Sequence, residues 1–213
     1  MTVREPAFAR DSATAAYYER RAREYDDWYE GVGRFAERHR PGWAEELAGV
    51  VELLKALPPA RTLDLACGTG YLTRYLGGLV VAADRSPAMV DTTRARLRQA
   101  HSCVVVADAL ALPFAAGTFD RVLTGHFYGH LPPAERAVFL PEARRVGREL
   151  VVVDSARRAG VPAQEWQERV LDDGSRHQVF KRYLTADELA AEIAGEVLLS
   201  GRWFVAARAV IGG

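Results

Sequence analysis

A glycine-rich turn follows a short apolar run at Thr62 to Tyr71, which reads TLDLACGTGY. Glycine has no Cβ, so such a turn lets the backbone come close to a bound molecule. Asp84 follows at the end of the next apolar run. A carboxylate about 20 residues beyond such a turn can accept hydrogen bonds from both hydroxyls of a ribose. Because Gly-x-Gly also occurs in ordinary tight turns, the prediction of an adenosine-containing cofactor depends on the elements around it.

Those elements alternate between strand and helix patterns. Unbroken apolar runs suit strands that are covered on both faces, and their alternation with helices is typical of a parallel, doubly wound sheet. Ser86 and Pro87 predict the start of one helix, and Pro141 is expected to kink or divide a later one. The predicted strands are residues 63–66, 79–83, 103–107, 119–124 and 150–153.

We predict one domain over residues 1–213. Helical patterns over 11–30 and 43–56 precede the first strand, and a shorter one over 71–76 follows the glycine turn. After Asp154 the periodicity is lost, and a short helix is expected around 164–171. The four predicted parts are N-terminal helices that form a lid (1–57), a cofactor-binding core (58–154), an acceptor-side excursion (155–184), and a closing helix with a hairpin (185–213).

The composition argues against several classes of partner. The 28 basic and 28 acidic residues give zero formal net charge, so neither nucleic acid nor a membrane is an expected partner. Cys67 and Cys103, both expected to be buried, do not make a disulfide framework, which favours a reducing compartment. The sequence shows neither an apolar leader pattern nor 18 consecutive apolar residues. We expect a cytoplasmic protein, either a monomer or a homodimer.

An aromatic stripe recurs at helical spacing near the N-terminus, with Tyr18, Tyr25 and Tyr29 as members. Such a stripe can simply pack on the domain behind it. For Tyr18 and Tyr25 a second interpretation is open, because hydroxyl-bearing rings can close a pocket while they hydrogen-bond to its contents.

Four motifs in this order resemble the class I S-adenosylmethionine-dependent methyltransferases, in particular the small-molecule branch of the quinone-biosynthesis type. Residues 63–70 (LDLACGTG) are similar to the family's glycine motif, 84–89 (DRSPAM) to its ribose motif, 108–114 (DALALPF) to its adenine motif and 119–122 (FDRV) to its fourth strand. The resemblance implies a Rossmann-like α/β fold, with a doubly wound, mostly parallel seven-stranded sheet, an antiparallel last strand and an N-terminal helical lid.

The resemblance also implies S-adenosylmethionine as the cofactor. Gly68 and Gly70 would pass under its methionine end, and Ala66 stands where many members have the first glycine. Asp64 would hold the turn or meet the ammonium group, and Asp84 would bind the ribose. The full set of implied cofactor-binding residues is Tyr18, Tyr25, Asp64, Ala66, Gly68, Gly70, Asp84, Arg85, Met89, Asp108, Ala109 and Leu110.

Methyl transfer from a sulfonium is an in-line displacement, which depends on the position and desolvation of the nucleophile. A general base is needed only if the acceptor must lose a proton. His126 follows the predicted fourth strand, at the edge where ligands of such sheets bind. We therefore predict that His126 is a base or an orienting group, or that it only shapes the pocket or contacts the methionine moiety of the cofactor. No metal site is predicted from its spacing to His130, because Gly129 and Pro132 interrupt a helix there.

The predicted acceptor is an O, N or C centre of a small molecule. Arg176, His177 and Tyr183 are expected either to line its pocket or to lie on a surface hairpin with their charges in water. One alternative is a nicotinamide-dependent Rossmann oxidoreductase, although Tyr71-Leu72-Thr73 lacks the third glycine of that motif. Another is a non-catalytic S-adenosylmethionine-binding module, because a fold does not imply chemistry.

Overall fold

The computed structural model describes residues 7–97 and 102–211. The α-helices of these ranges are α1 (Ser12–Arg21), α2 (Asp27–Glu30), α3 (Trp43–Ala56), α4 (Pro87–Arg96), α5 (Pro133–Val146) and α6 (Ala186–Ile193). The strands are β1 (Ala60–Leu65), β2 (Gly78–Asp84), β3 (Ser102–Val106), β4 (Arg121–Gly125), β5 (Glu149–Ser155), β6 (Gln164–Val170), β7 (Arg176–Arg182), β8 (Glu196–Ser200) and β9 (Phe204–Val210). None of the described helices has the length and apolarity needed to cross a membrane.

Seven strands form one sheet in the order β3-β2-β1-β4-β5-β9-β8. The first five are parallel, whereas β9 runs antiparallel to both β5 and β8. The predicted fold, with its antiparallel last strand, is confirmed. The strand order reverses between β1 and β4, and in such sheets ligands bind in the crevice beyond the carboxyl ends at this point.

The apolar runs explain the central strands. Leu63, Val122 and Leu150 on three neighbouring strands are fully buried in the main core, as expected for parallel strands covered on both faces. Cys103, which was expected to be buried, is exposed. Its strand, β3, lies at the end of the sheet and has a neighbour on one side only.

Two further predictions about helices are wrong. The helix over residues 71–76 is reduced to a 3-10 turn at Thr73–Tyr75. The pattern over 11–30 is divided, because α1 ends at Arg21 and α2 begins at Asp27. The carboxylate of Asp26 binds the Thr69 hydroxyl and the Arg96 guanidinium, and these long-range bonds hold the chain between the two helices against the glycine turn.

Helix α5 continues through Pro141 without division. A proline inside a helix removes one hydrogen bond of the ladder. Phe139, Ala143 and Val146, on both sides of Pro141, are fully buried in the same core. Packing on the sheet therefore holds the two halves in one helix, since most helical stability in proteins comes from such packing.

The excursion after β5 contains an antiparallel pair, β6 and β7, that forms a separate two-stranded sheet. The helix predicted around residues 164–171 is therefore wrong. Trp166 pairs with Phe180 across the hairpin, with ring centroids 5.9 Å apart. This cross-strand contact stabilises a sheet but is not available to an isolated helix.

Candidate functional site

The glycine turn and the end of β2 are joined by the carboxylate of Asp84. Its two oxygens accept hydrogen bonds from the amides of Gly68 and Ser86, each at 2.9 Å. Burial raises the pKa of Asp84, although these backbone hydrogen bonds act against the increase. Ala66 and Gly68 both have positive φ angles, 54° and 58°. The turn is thus tightly folded beside a half-buried acidic side chain.

A cavity of about 370 Å³ opens beyond the carboxyl ends of β1, β2 and β4. Its wall contains most of the residues implied for cofactor binding, which are drawn together from well-separated parts of the sequence. These are Tyr18, Tyr25, Ala66, Gly68, Asp84, Arg85, Met89, Asp108 and Ala109. We call this space the first cavity.

Asp64, Gly70 and Leu110 do not line the first cavity. Asp64 is buried and accepts a hydrogen bond of 2.5 Å from the Thr73 hydroxyl. Burial raises the pKa of Asp64 to about 7, even though that hydrogen bond acts in the opposite direction. A Cβ at Gly70 would lie 3.0 Å from Thr93, so this glycine lets the turn pack on α4. All three residues support the turn and the core from behind.

Sequence reasoning missed Glu19 on α1. Its carboxylate accepts hydrogen bonds from the Ser86 hydroxyl (2.5 Å) and the Ala88 amide (3.1 Å) at the start of α4. The Arg85 side chain binds the carbonyl of Ala9, just before α1. These contacts fasten α1 over the first cavity. No local pattern in the sequence marks them, because the partners are separated by more than 60 positions.

Tyr18 on α1 and Tyr25 just after α1 both line the first cavity, with ring centroids 6.4 Å apart. The Tyr25 ring lies next to Gly68, where an added Cβ would be 3.4 Å from Cε1 of the ring. Burial raises the pKa of Tyr25 to about 12 and that of Tyr18 still further. Both phenols therefore stay protonated at neutral pH and can donate hydrogen bonds.

A second cavity of about 420 Å³ lies on the other side of these tyrosines. Tyr18, Tyr25 and His126 line both spaces, so the two cavities meet at this wall. The second cavity is rich in tryptophan and in basic side chains. The residues that line it besides the shared three are Arg21, Trp28, Arg38, Trp43, His130, Ser155, Arg158, Glu165, Trp166, Gln167, Glu168, Arg169, Lys181, Tyr183 and Trp203.

His126 occupies an unusual position at the end of β4. Its φ angle is 57°, in the left-handed region, and it is 8% exposed. Its ring packs on Trp28 and Phe204, with centroid distances of 4.8 and 5.6 Å. Neither ring nitrogen has a hydrogen-bond partner within the described part of the chain. Burial lowers the pKa of His126 to about 4, so the ring is neutral at neutral pH.

His130 is held by the protein itself. Its Nδ1 lies 2.6 Å from the carbonyl oxygen of Phe180, and its ring stacks on Phe8 at 4.5 Å. Burial lowers the pKa of His130 well below the usual range. Unlike His126, this histidine has a fixed partner and connects β7 to the core.

Of the three residues predicted for the acceptor side, the structure places only Tyr183 in the second cavity. Arg176 is exposed and pairs with Glu168 at 2.5 Å. The ring of His177 lies 3.1 Å from the Ser175 hydroxyl and packs on Tyr17. Strand alternation explains the position of Arg176, because it lies on the face of β7 opposite to the buried Lys181. His177 shares a face with Lys181, but it lies at the far end of the strand.

Comparison with known proteins gives a consistent family. Residues 63–150 match a family model described as a methyltransferase domain. A tRNA (carboxymethyluridine(34)-5-O)-methyltransferase of Macaca fascicularis is 36% identical over 116 residues, which are 52% of this chain and 16% of that protein. The demethylmenaquinone methyltransferase of Thermus thermophilus is 40% identical over 114 residues, which are 49% of this chain and 51% of that protein.

Similarity of structure extends further than similarity of sequence. The DhpI–SAM–HEP complex aligns with a TM-score of 0.73 at 23% identity, over 92% of this chain and 95% of that one. The aligned share of the chain is more than twice that of the matched domain at residues 63–150. The alignments to the two curated relatives span only between 16% and 51% of their lengths.

Proposed function

We propose that this chain belongs to the S-adenosylmethionine-dependent methyltransferases, as the methyltransferase domain matched at residues 63–150 supports, and that it transfers a methyl group to an O, N or C centre of a small molecule. One observation carries the proposal. The first and second cavities meet at Tyr18, Tyr25 and His126. Two adjoining spaces suit a donor and an acceptor that must meet in line.

The first cavity suits the cofactor. Asp84 is half-buried and accepts hydrogen bonds from two amides, and its carboxylate has further lone pairs for the ribose hydroxyls. Met89 is buried at the wall and would pack on the adenine ring, a role that suits a flexible thioether. Asp108 and Ala109 would bind the edge of that ring. Gly68 would allow the methionine end to approach the backbone.

The bound cofactor supplies a methyl group on a sulfonium, with a neutral thioether as the leaving group. Tyr18 and Tyr25, which line both cavities, would shield the point where donor and acceptor meet from water. His126 would orient the acceptor, because its two unpartnered ring nitrogens offer one donor and one acceptor in the neutral form. A base near pKa 4 is weak at neutral pH, which favours orientation over proton removal.

A small-molecule acceptor is supported by the relative from Thermus thermophilus, whose name gives demethylmenaquinone as its acceptor. The tRNA-modifying relative aligns over only 16% of its own length, and the formal net charge of zero here does not favour a nucleic acid. An antiparallel β9 and the missing third glycine count against a nicotinamide cofactor. With Cys67 and Cys103 both free, we place the protein in the cytoplasm.

The first experiment measures cofactor binding. Saturating S-adenosylmethionine, or its demethylated product, should raise the melting temperature, because a ligand that binds only the folded state stabilises it. The variant D84A should lose this shift, whereas D91A, at an exposed position on α4, should keep it. An unchanged melting temperature with both ligands would refute the proposal, and a shift with NADH alone would support the oxidoreductase.

The second experiment tests transfer. Incubation with methyl-labelled S-adenosylmethionine and a metabolite extract, followed by mass spectrometry, should reveal a labelled small molecule. Tight binding of the cofactor without any labelled product, in extracts from several growth conditions, would instead favour a non-catalytic binding module.

A further inference from the structure

Basic side chains converge on the second cavity from four separate segments. Arg21 comes from α1, Arg38 precedes α3, Arg158 follows β5, and Arg169 and Lys181 come from the hairpin of β6 and β7. The same wall also contains two carboxylates, at Glu165 and Glu168. Whether this set is electrically balanced depends on how the charges are paired.

Two of these charges are neutralised locally. Lys181 is paired with Asp154 at 2.5 Å, and Glu168 is paired with the exposed Arg176 at the same distance. The Glu168 carboxylate is therefore already used by a cation outside the cavity. Glu165, the other acidic residue, lies 2.5 Å from the side-chain amide of Gln167.

Four guanidinium groups remain, against one carboxylate, Glu165. Within residues 7–97 and 102–211, Arg21, Arg38, Arg158 and Arg169 make no ion pair within 4.0 Å, and Arg21 instead donates to the Tyr17 hydroxyl. Burial and the nearby charges of Arg169 and Arg21 lower the pKa of Arg38, and all three side chains line the same cavity. Cations held together without counter-charge are unfavourable unless an anion joins them.

Unused hydrogen-bonding groups point in the same direction. The Nε of Arg169 is buried and has no partner in the described chain. His126, which is more than nine-tenths buried, likewise has two unpartnered ring nitrogens at the wall of the same cavity. Buried donors normally find a partner in the protein or in a ligand. The cavity thus combines uncompensated positive charge with unused donors.

We propose that the second cavity selects an acceptor that carries an oxyanion, a carboxylate or a phosphate, bound by Arg158 and Arg169. This inference rests on the proposed function and defines its substrate class. A guanidinium can hold either oxyanion through two parallel hydrogen bonds. The Arg158 guanidinium is already oriented by stacking on Trp203, at 4.4 Å. Arg38 adds long-range attraction from the rim.

The tryptophans of the cavity define the rest of the acceptor. Trp28, Trp43, Trp166 and Trp203 each contribute part of a mainly polar wall, and Trp43 and Trp203 are only 8% exposed. The ring area that they expose can contact an apolar part of the acceptor. The expected acceptor therefore has an anionic end and a small apolar part beside it.

Binding of simple probes tests this inference before the acceptor is known. Protein saturated with the demethylated cofactor is titrated with phenyl phosphate, benzoate and neutral benzamide at constant ionic strength, with calorimetric detection. We expect at least one of the two anions to bind about tenfold or more tightly than benzamide. Their order shows whether phosphate or carboxylate is preferred. Equal affinity for all three probes, or none for any, would overturn the inference.

Matched variants identify the residues. R158Q/R169Q should weaken the binding of the preferred anion about tenfold or more, whereas R158K/R169K should restore part of it. R157Q is the control, because Arg157 pairs with Glu188 at 2.8 Å and does not line the cavity. Unchanged anion affinity in R158Q/R169Q would refute the assignment.

Binding of the demethylated cofactor is measured in every variant. It confirms that each variant is folded, and it separates the two hypotheses. If the wild type binds the cofactor but binds the anions no more tightly than benzamide, only the inference about the acceptor is refuted. Failure of the wild type to bind the cofactor would refute the proposed function itself.

Discussion

The ammonium nitrogen of Lys181 lies 2.5 Å from Oδ1 of Asp154, and the two side chains are 3% and 0% exposed. Lys181 belongs to β7 and Asp154 to β5, so this pair fastens the hairpin to the central sheet. Asp154 also accepts hydrogen bonds from the amides of Gly129 and Ser155, both at 2.7 Å. The wall of the second cavity is therefore anchored to the rigid core.

Replacing Lys181 by methionine should destabilise the protein strongly. The carboxylate of Asp154 would remain buried without its cation, and such losses cost about 3–5 kcal/mol. Urea unfolding measures this change. The matched control is K55M, whose lysine forms an exposed pair with Glu52 and whose loss should cost at most about 1 kcal/mol. A similar effect of both variants would contradict the anchoring role of Lys181.

The same pair should make the protein sensitive to strong acid. Burial alone would raise the pKa of Asp154, but the charges of Lys181 and His126 outweigh it and hold that pKa at about 2. A depressed pKa contributes stability that is complete above about pH 4 and is lost as the pH falls towards 2. Urea unfolding between pH 2 and 5 measures this loss of stability. The part that is due to Asp154 should be absent in D154N.

The variant H126N should impair turnover more than cofactor binding. Asparagine tolerates the left-handed backbone at this position but cannot fill the place of the ring between Trp28 and Phe204. We expect kcat to fall about tenfold or more through a misplaced acceptor, with a smaller loss of affinity for the demethylated cofactor, whose cavity His126 also lines. Since the pKa of His126 is about 4, kcat should not vary through this group between pH 6 and 8. A titration near pH 6.5 that disappears in H126N would contradict this role.

Ala66 to glycine should stabilise the protein slightly. The φ angle of Ala66 is 54°, a conformation that costs an L-residue with a side chain about 1–2 kcal/mol. Glycine avoids this strain, but its greater freedom in the unfolded state lowers the stability by about 0.5–1 kcal/mol. The expected net gain is up to about 1.5 kcal/mol, measured by urea unfolding. The reverse change at the neighbouring left-handed position, G68A, should destabilise the protein and crowd Tyr25. A destabilised A66G would show that the methyl group makes a compensating contact.

The substitution D64N should raise the free energy of unfolding relative to wild type by a larger amount as the pH rises. The native pKa of Asp64 is raised to about 7, whereas an unfolded aspartate titrates near 4. Between about pH 4 and 7 only the folded state holds this proton, so its contribution to stability falls with increasing pH. The difference in unfolding free energy between D64N and wild type should grow by up to about 1.4 kcal/mol per pH unit. D91N, at an exposed aspartate, should show no such trend.

The sequence by itself determined the fold and most of the wall of the first cavity. Continuous apolar runs require strands that are covered on both faces, and the glycine turn and Asp84 lie at the ends of adjacent strands. Their meeting follows from parallel pairing, because the carboxyl ends of such strands lie at one edge. For Asp64 the sequence required a buried partner, but only the structure identified it as the Thr73 hydroxyl.

Tertiary structure alone decided the second cavity. Arg38, Arg158 and Arg169 lie on segments far apart in the chain, and no local periodicity relates them. The hairpin of β6 and β7 is stabilised by cross-strand pairs and by Lys181 on Asp154, contacts that do not exist in any isolated segment. A local pattern can predict which residues share one strand or one helix face. It cannot predict which charges from four different elements will face one another across a space.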